Sequence, residues 1–128
     1  MAIFKVRQSH YGFAFFLWLA LIFWSASQPG TNQPPMFHGI DKIQHFVAYG
    51  VLSFLLAKAI YRKLNLSRLV VVVLTIILIG VCDELYQSTI INRHSSVYDV
   101  IADSIGALGG YIVAWLWQIK SIRGSDSE

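Results

Sequence analysis

The chain has little charge. Asp, Glu, Lys and Arg make up only 13% of its 128 residues, whereas hydrophobic residues make up 55%. A soluble globular protein has about 25% charged residues, so this sequence cannot cover a water-facing surface in the ordinary way. The composition therefore favours an integral membrane protein over a soluble helical bundle.

Cysteine is also scarce, and several common catalytic motifs are missing. The single cysteine, Cys82, cannot form an intramolecular disulfide, and we expect it to pack within its apolar segment. The sequence has no CxxC pair, no GxSxG elbow, no Gly-rich phosphate loop and no HExxH motif. Function must therefore be inferred from residues that lie far apart in the chain.

Four apolar segments predict the fold class, an all-α integral membrane bundle of four transmembrane helices. The segments run from about Tyr11 to Ser25, from Asp41 to about Tyr61, from Leu69 to about Ile90 and from about Val97 to Ile119. The first segment also resembles a signal peptide, because Lys5 and Arg7 precede it and small residues follow it. We nevertheless expect it to be a retained span. Residues 1–128 are predicted to form one domain, with a flexible tail over 121–128.

The basic residues indicate how the bundle is oriented. Eight of the ten Lys and Arg residues fall where a four-span topology with both termini in the cytoplasm places cytoplasm, as the positive-inside rule requires. They are Lys5, Arg7, Lys58, Arg62, Lys63, Arg68, Lys120 and Arg123. Because they are dispersed in loops rather than aligned on one face, we expect no nucleic-acid partner.

Five of the seven carboxylates gather at the opposite, outward end of the predicted bundle: Asp41, Asp83, Glu84, Asp99 and Asp103. Charge at membrane depth is costly, so such residues are by default candidates for function. At 1.5 Å per residue, His45 lies about 6 Å and Tyr49 about 12 Å below Asp41. In the third segment, Glu84 lies about 9 Å and Gln87 about 4 or 5 Å beneath its expected end.

These residues divide into two sets of site candidates. The catalytic candidates are Glu84, His45 and Asp103, and the substrate-binding candidates are Asp41, Lys42, Tyr49, Gln87, Arg93 and Asp99. Each also has a structural alternative: Asp41 and Asp99 can cap helices, His45 can bond Glu84, Tyr49 can be an interfacial aromatic, and Gln87 can join helices. Asp103 needs a partner such as Arg93, Lys42 or His45. Asp83 points about 100° away from Glu84, so we expect only Glu84 to face the site.

Two further features concern metals and helix packing. His45, Glu84, Asp99 and Asp103 are residue types that suit zinc or harder divalent cations, but no two-histidine motif supports a site. We therefore assign no metal and leave the cofactor unknown. Ala102, Gly106 and Gly110 form a smooth face on the fourth segment that allows close helix approach, including a packing partner at Gly106 and Gly110.

The ordered motifs resemble the VanZ-like membrane family over residues 40–111. They are DKIQHFVAY beginning at Asp41, ELYQ beginning at Glu84, Arg93, and DVIADSIGA beginning at Asp99. Asp103 stands where the family commonly has Asn, and Ile91-Asn92 replaces the usual Pro-Gly before Arg93. The resemblance implies a multi-pass protein of the bacterial inner (cytoplasmic) membrane, in a family associated with low-level teicoplanin resistance.

Two functions remain open from the sequence. An enzyme, a hydrolase or transferase, would act on outer-leaflet lipid headgroups through an outward polar pocket. A non-catalytic envelope factor would instead bind a lipid-linked cell-wall precursor or a partner membrane protein. A proton pathway is disfavoured because the inner halves of the segments have almost no ionisable groups. Among membrane lipids, the favoured ligand is an acidic-lipid or polyprenyl-linked headgroup.

Overall fold

The computed structural model describes residues 2–30, 39–61 and 63–125, and the side chains of 8–30, 39–61 and 63–121. Within these ranges it contains α1 (Ala2–Ala26), α2 (Ile40–Ile60), α3 (Leu66–Gln87) and α4 (Val97–Ser125), and no strand. Each helix contains a stretch that is long and apolar enough to cross a membrane. The predicted all-α bundle of four transmembrane helices is confirmed.

The outer faces of the helices are strongly apolar, as a lipid-facing surface must be. Leu74 and Leu78 on α3 are 60% and 64% exposed, and Val113 and Leu116 on α4 are 54% and 59% exposed. In water, these faces would form a continuous apolar surface far larger than a soluble monomer carries. The protein is therefore a multi-pass membrane protein.

Gly50, Gly106 and Gly110 bring the backbones of α2 and α4 into contact. A Cβ on Gly110 would lie 1.9 Å from the carbonyl oxygen of Gly50, and one on Gly106 would lie 2.2 Å from that of Phe46. The Ser53 hydroxyl also donates to the Ala107 carbonyl at 2.7 Å. The smooth glycine face predicted on α4 therefore contacts α2 of the same chain. This is the surface at which the sequence predicted a helix-packing partner.

The ends of α1 and α3 and the starts of α2 and α4 meet at one end of the bundle, here called the polar end. The α3 helix ends at Gln87, about one turn before the expected Ile90. There the hydroxyls of Ser88 and Thr89 bond back to the Leu85 and Tyr86 carbonyls, each at 2.7 Å. Glu84 consequently lies about 4.5 Å from the helix end rather than about 9 Å.

Other helix ends also differ from the predicted ones. The N-cap of α2 is Gly39, with φ 89°, so Asp41 lies in the first turn. The helix-capping role considered for Asp41 is therefore wrong. The N-cap of α3 is Asn65, whose side chain accepts from the Arg68 amide at 3.0 Å and starts the helix before Leu69. The α4 helix continues past Ile119 into the segment predicted as a tail, of which residues 126–128 lie outside the described residues.

Candidate functional site

Buried polar side chains are concentrated at the polar end. Five of them are between 0% and 6% exposed: Asp83, Glu84 and Gln87 on α3, and Asp99 and Asp103 on α4. The α2 helix adds Lys42, His45 and Tyr49. Asp83 and Glu84 lie in the last turn of α3 and Asp99 in the first turn of α4, so the cluster is shallow in the bundle.

His45 is at the centre of this cluster. Its Nδ1 lies 2.9 Å from Oδ1 of Asp103, and its Nε2 lies 3.8 Å from Oε1 of Glu84. Gly80 makes room for Asp103, because a Cβ on Gly80 would lie 2.6 Å from Asp103 Oδ2. Of the three partners considered for Asp103, the structure shows His45. The other two catalytic candidates, Asp103 and Glu84, therefore lie on either side of His45, each near one of its ring nitrogens.

Tyr49 and Asp83 form a second group beside His45. The Tyr49 hydroxyl donates to Asp83 Oδ2 at 2.9 Å, and Gln87 Nε2 donates to the same oxygen at 3.1 Å. The rings of His45 and Tyr49 are nearly parallel, with centroids 6.0 Å apart. Tyr49 and Gln87, both predicted to bind substrate, are therefore joined through Asp83.

Lys42 connects the start of α2 to the start of α4, and Glu84 connects the end of α3 to the residue just before α4. Lys42 Nζ lies 2.7 Å from Asp99 Oδ1 and 2.6 Å from Asp41 Oδ2. Glu84 Oε2 accepts a hydrogen bond from the Ser96 amide at 2.7 Å, just before α4 begins. A carboxylate at a helix N-terminus is favoured by the helix dipole, which gives Glu84 and Asp99 a structural reason for their positions.

Arg93 holds the end of α1 against the loop between α3 and α4. Its guanidinium donates to the carbonyls of Ser25 at 2.6 Å and Gln28 at 3.1 Å, and reaches Gln87 Oε1 at 3.4 Å. The Ser25 carbonyl lies in the last turn of α1 and the Gln28 carbonyl lies just after the helix, so these contacts tie the end of α1 to the loop. A guanidinium has five N–H donors, so Arg93 keeps donor capacity beyond these three contacts.

A cavity of about 180 Å³ lies between α1, α2 and α3 at the polar end. Its polar lining comes from Gln44, His45, Tyr49, Asp83, Gln87 and Arg93, and its apolar lining includes Leu21, Ile22 and Ala48. The cavity therefore combines a charged, hydrogen-bonding wall with a wall that suits hydrocarbon.

The predicted site residues divide between this cavity and the cluster behind it. His45, Tyr49, Gln87 and Arg93 line the cavity, whereas Asp41, Lys42, Glu84, Asp99 and Asp103 are not among its lining residues. Asp83, which we expected to point away, lines the cavity instead of Glu84. The spacing could not decide between them, because residues three apart and residues four apart are both neighbours on a helix face. Gln87 is three residues after Glu84 and four after Asp83.

Three buried carboxylate oxygens have no hydrogen-bond partner among the described residues: Asp83 Oδ1, Glu84 Oε1 and Asp103 Oδ2. Leaving a buried polar atom unpaired is costly, so each oxygen indicates a place where a donor or a cation would be stabilised. Asp83 Oδ1 belongs to a cavity-lining residue. Glu84 Oε1 lies 3.8 Å from His45 Nε2. His45, Glu84 and Asp99 each offer one metal-ligand atom, all within 4.8 Å of one another.

Comparison with protein-family models gives a match over most of the chain. The model of the VanZ/LLP1 family matches residues 11–118. No curated protein matches the chain, and no solved structure does. The matched range includes the first three predicted spans, the fourth except for its last residue, the loop with Arg93 and every residue of the polar cluster. The chain therefore belongs to the VanZ/LLP1 family.

Proposed function

We propose that the protein binds the headgroup of a membrane lipid or polyprenyl-linked precursor in the 180 Å³ cavity at its polar end. The observation that carries the proposal is that one cavity has both hydrogen-bonding groups and an apolar wall. Arg93 offers N–H donors, the buried Asp83 Oδ1 needs a donor, and the wall beside them is apolar. A lipid headgroup joined to hydrocarbon supplies all three counterparts.

The lining residues narrow the chemistry of the ligand. A phosphate would accept from Arg93, and a hydroxyl or amine on the same headgroup would donate to Asp83. Drug-sized ligands occupy pockets of about 300–1,000 Å³, so a cavity of 180 Å³ suits one small headgroup. Leu21, Ile22 and Ala48 would contact the first carbons of the acyl or prenyl chain.

The basic loops support an outward-facing cavity, at the outer leaflet of the bacterial cytoplasmic membrane. The family's association with teicoplanin resistance fits a protein that acts on the lipid side of the envelope. The cavity is too small for a glycopeptide, so we propose that any such effect passes through a lipid or lipid-linked precursor.

Binding is better supported than turnover, because Glu84, the foremost catalytic candidate, does not line the cavity. If the protein is a hydrolase or transferase, the carboxyl group beside the ligand is that of Asp83. Overproducing the native chain and an Asp83→Asn variant separates the two functions. An enzyme changes one headgroup species only with the native chain, and a non-catalytic factor changes none.

Thermal unfolding of the purified protein in detergent tests the binding proposal. We expect phosphatidylglycerol or polyprenyl phosphate to stabilise the fold by about 2.7 kcal/mol at a hundredfold excess over Kd. Diacylglycerol and polyprenol, which lack the phosphate, serve as matched ligands that should not stabilise it.

The matched variants are Ala48→Leu, which fills the cavity, and Ala20→Leu, which adds the same bulk on an exposed face of α1. Ala48→Leu should abolish the stabilisation and Ala20→Leu should keep it. Equal stabilisation by the phosphate-bearing and phosphate-free lipids would overturn the proposal, and so would full stabilisation of Ala48→Leu.

A further inference from the structure

We propose that His45, Glu84 and Asp99 form a binding site for a divalent transition-metal cation of the zinc class. The three residues come from α2, α3 and α4, and their ligand atoms lie within 4.8 Å of one another. The site is behind the headgroup cavity, with His45 common to both, and its existence does not depend on the headgroup proposal.

The contact with Asp103 prepares His45 as a ligand. The Asp103 carboxylate lies 2.9 Å from Nδ1, where it would accept a hydrogen bond from Nδ1–H of a neutral His45. In that tautomer the lone pair is on Nε2, the nitrogen available to a metal. Nε2 in turn faces Glu84. A histidine whose second nitrogen donates to a carboxylate is the usual arrangement of a metal-bound imidazole, in which the outer carboxylate fixes the ring and raises its basicity.

Glu84 gives evidence for a cation that is independent of the cluster's ligand spacing. One carboxylate oxygen is held by the Ser96 amide, and the other, Oε1, is buried without a partner among the described residues. The Glu84 side chain is only 7% exposed, and Oε1 lies 3.8 Å from His45 Nε2. That distance exceeds a hydrogen bond, whereas ligands of a tetrahedral zinc ion lie about 3.3 Å apart. A small inward movement would therefore suit a shared cation.

Asp99 completes the set but is shared with Lys42, whose Nζ lies 2.7 Å from Oδ1. The Lys42 side chain is 36% exposed, so it can turn toward water and release Asp99. The cluster has five carboxyl groups and two basic side chains, Lys42 and Arg93, so acidic groups outnumber basic ones around a divalent cation. Imidazole with carboxylate selects the zinc class over magnesium or calcium, which prefer oxygen ligands alone.

The test uses the full chain, purified in detergent, stripped with a chelator and titrated with Co²⁺ as a coloured substitute for Zn²⁺. We expect one equivalent of Co²⁺ to bind with a visible absorption band that Zn²⁺ removes. His45→Ala and Glu84→Gln should weaken binding at least tenfold. Asp103→Asn, which changes a positioning residue, should weaken it about 10- to 100-fold and retain one site.

Two carboxylates outside the ligand set provide controls. Asp83→Asn removes a buried carboxylate next to Glu84, and Asp41→Asn removes an exposed one in the same layer. Both should retain one Co²⁺ site and weaken binding by less than tenfold, because each removes nearby negative charge but no ligand. In Asp41→Asn, Lys42 also loses one of its two carboxylate partners and competes more strongly for Asp99. Lys42→Gln should bind it more tightly, because it frees Asp99 without removing a ligand.

Three results would overturn the proposal. The first is a native chain that gives no Co²⁺ band at millimolar metal, and the second is unchanged binding in His45→Ala and Glu84→Gln. If those two variants do not fold, Lys42→Gln decides the question, because weaker or equal binding in that variant contradicts competition between Lys42 and the metal for Asp99.

Discussion

Tyr49 and Asp83 join α2 to α3 through a hydrogen bond of 2.9 Å between two side chains that are each 1% exposed. The direct contact between these two helices is otherwise small, since α4 packs against both. The bond also fixes one oxygen of Asp83 and leaves the other unpaired beside the cavity. A residue pair that looks structural thereby sets the hydrogen-bonding character of the proposed ligand site.

Tyr49→Phe removes this bond and keeps the ring. We expect the free energy of unfolding to fall by about 1 kcal/mol, the usual range for an interhelical hydrogen bond in a membrane protein. Unfolding of the purified protein in mixed detergent micelles measures the loss. Tyr98→Phe is the control, because Tyr98 is 70% exposed, and an equal loss in both variants would contradict the assigned role.

Gly110 and Gly109 give a matched pair on one helix. Gly110→Ala would place Cβ 1.9 Å from the Gly50 carbonyl, whereas Gly109→Ala meets nothing within 4 Å. We expect Gly110→Ala to cost about 1–3 kcal/mol as α2 and α4 separate, and Gly109→Ala to be neutral or to gain up to about 1 kcal/mol. The same unfolding measurement distinguishes them. Equal effects would show that α2 does not pack closely on Gly110.

Arg93→Lys tests how α1 is held. A lysine ammonium lacks the planar fork with which Arg93 reaches Ser25, Gln28 and Gln87, so the end of α1 should loosen. Hydrogen exchange read by mass spectrometry should become faster over residues 25–30 and stay unchanged over the middle of α4. The neighbouring, exposed His94→Gln should change neither region, and unaltered exchange in Arg93→Lys would contradict the tether.

The basic loops predict the orientation of the bundle, and thiol labelling tests that prediction. In a Cys82→Ser background, Ser95→Cys lies at the polar end and Ser67→Cys at the opposite end, both at exposed positions. An impermeant maleimide should label Ser95→Cys in intact cells and Ser67→Cys only after the membrane is opened. The reverse pattern would place the polar end in the cytoplasm.

The fold could be predicted from sequence because it depends on hydropathy along the chain. The four spans follow from apolar length alone, but their ends depend on local hydrogen bonds. The α3 helix ends before the predicted residue, where the hydroxyls of Ser88 and Thr89 bond to carbonyls of its last turn. Gly39 rather than Asp41 occupies the N-cap of α2. The sequence predicted a smooth face around Gly106 that allows close packing, but it did not show that α2 is the helix packed against it.

The sequence predicted that the polar residues lie at a similar depth near one end of the bundle, but not which of them contact one another. Helical spacing places His45 and Tyr49 on one face of α2, yet it does not say which carboxylate each one meets. Asp83 and Glu84 show this limit, because both are buried and they face different neighbours. The sequence already grouped His45, Glu84, Asp99 and Asp103 as residue types that suit a metal. Only the structure shows that three of them, His45, Glu84 and Asp99, offer ligand atoms within 4.8 Å of one another.

Native mass spectrometry of the protein released gently from its own membrane tests the headgroup proposal most directly. We predict that the native chain and Ala20→Leu retain a bound lipid whose fragments contain phosphate, and that Ala48→Leu loses it. Loss in Ala48→Leu would assign the lipid to the cavity and identify its headgroup. The same lipid at equal occupancy in all three proteins, or no phosphate-bearing lipid on the native chain, would contradict the account.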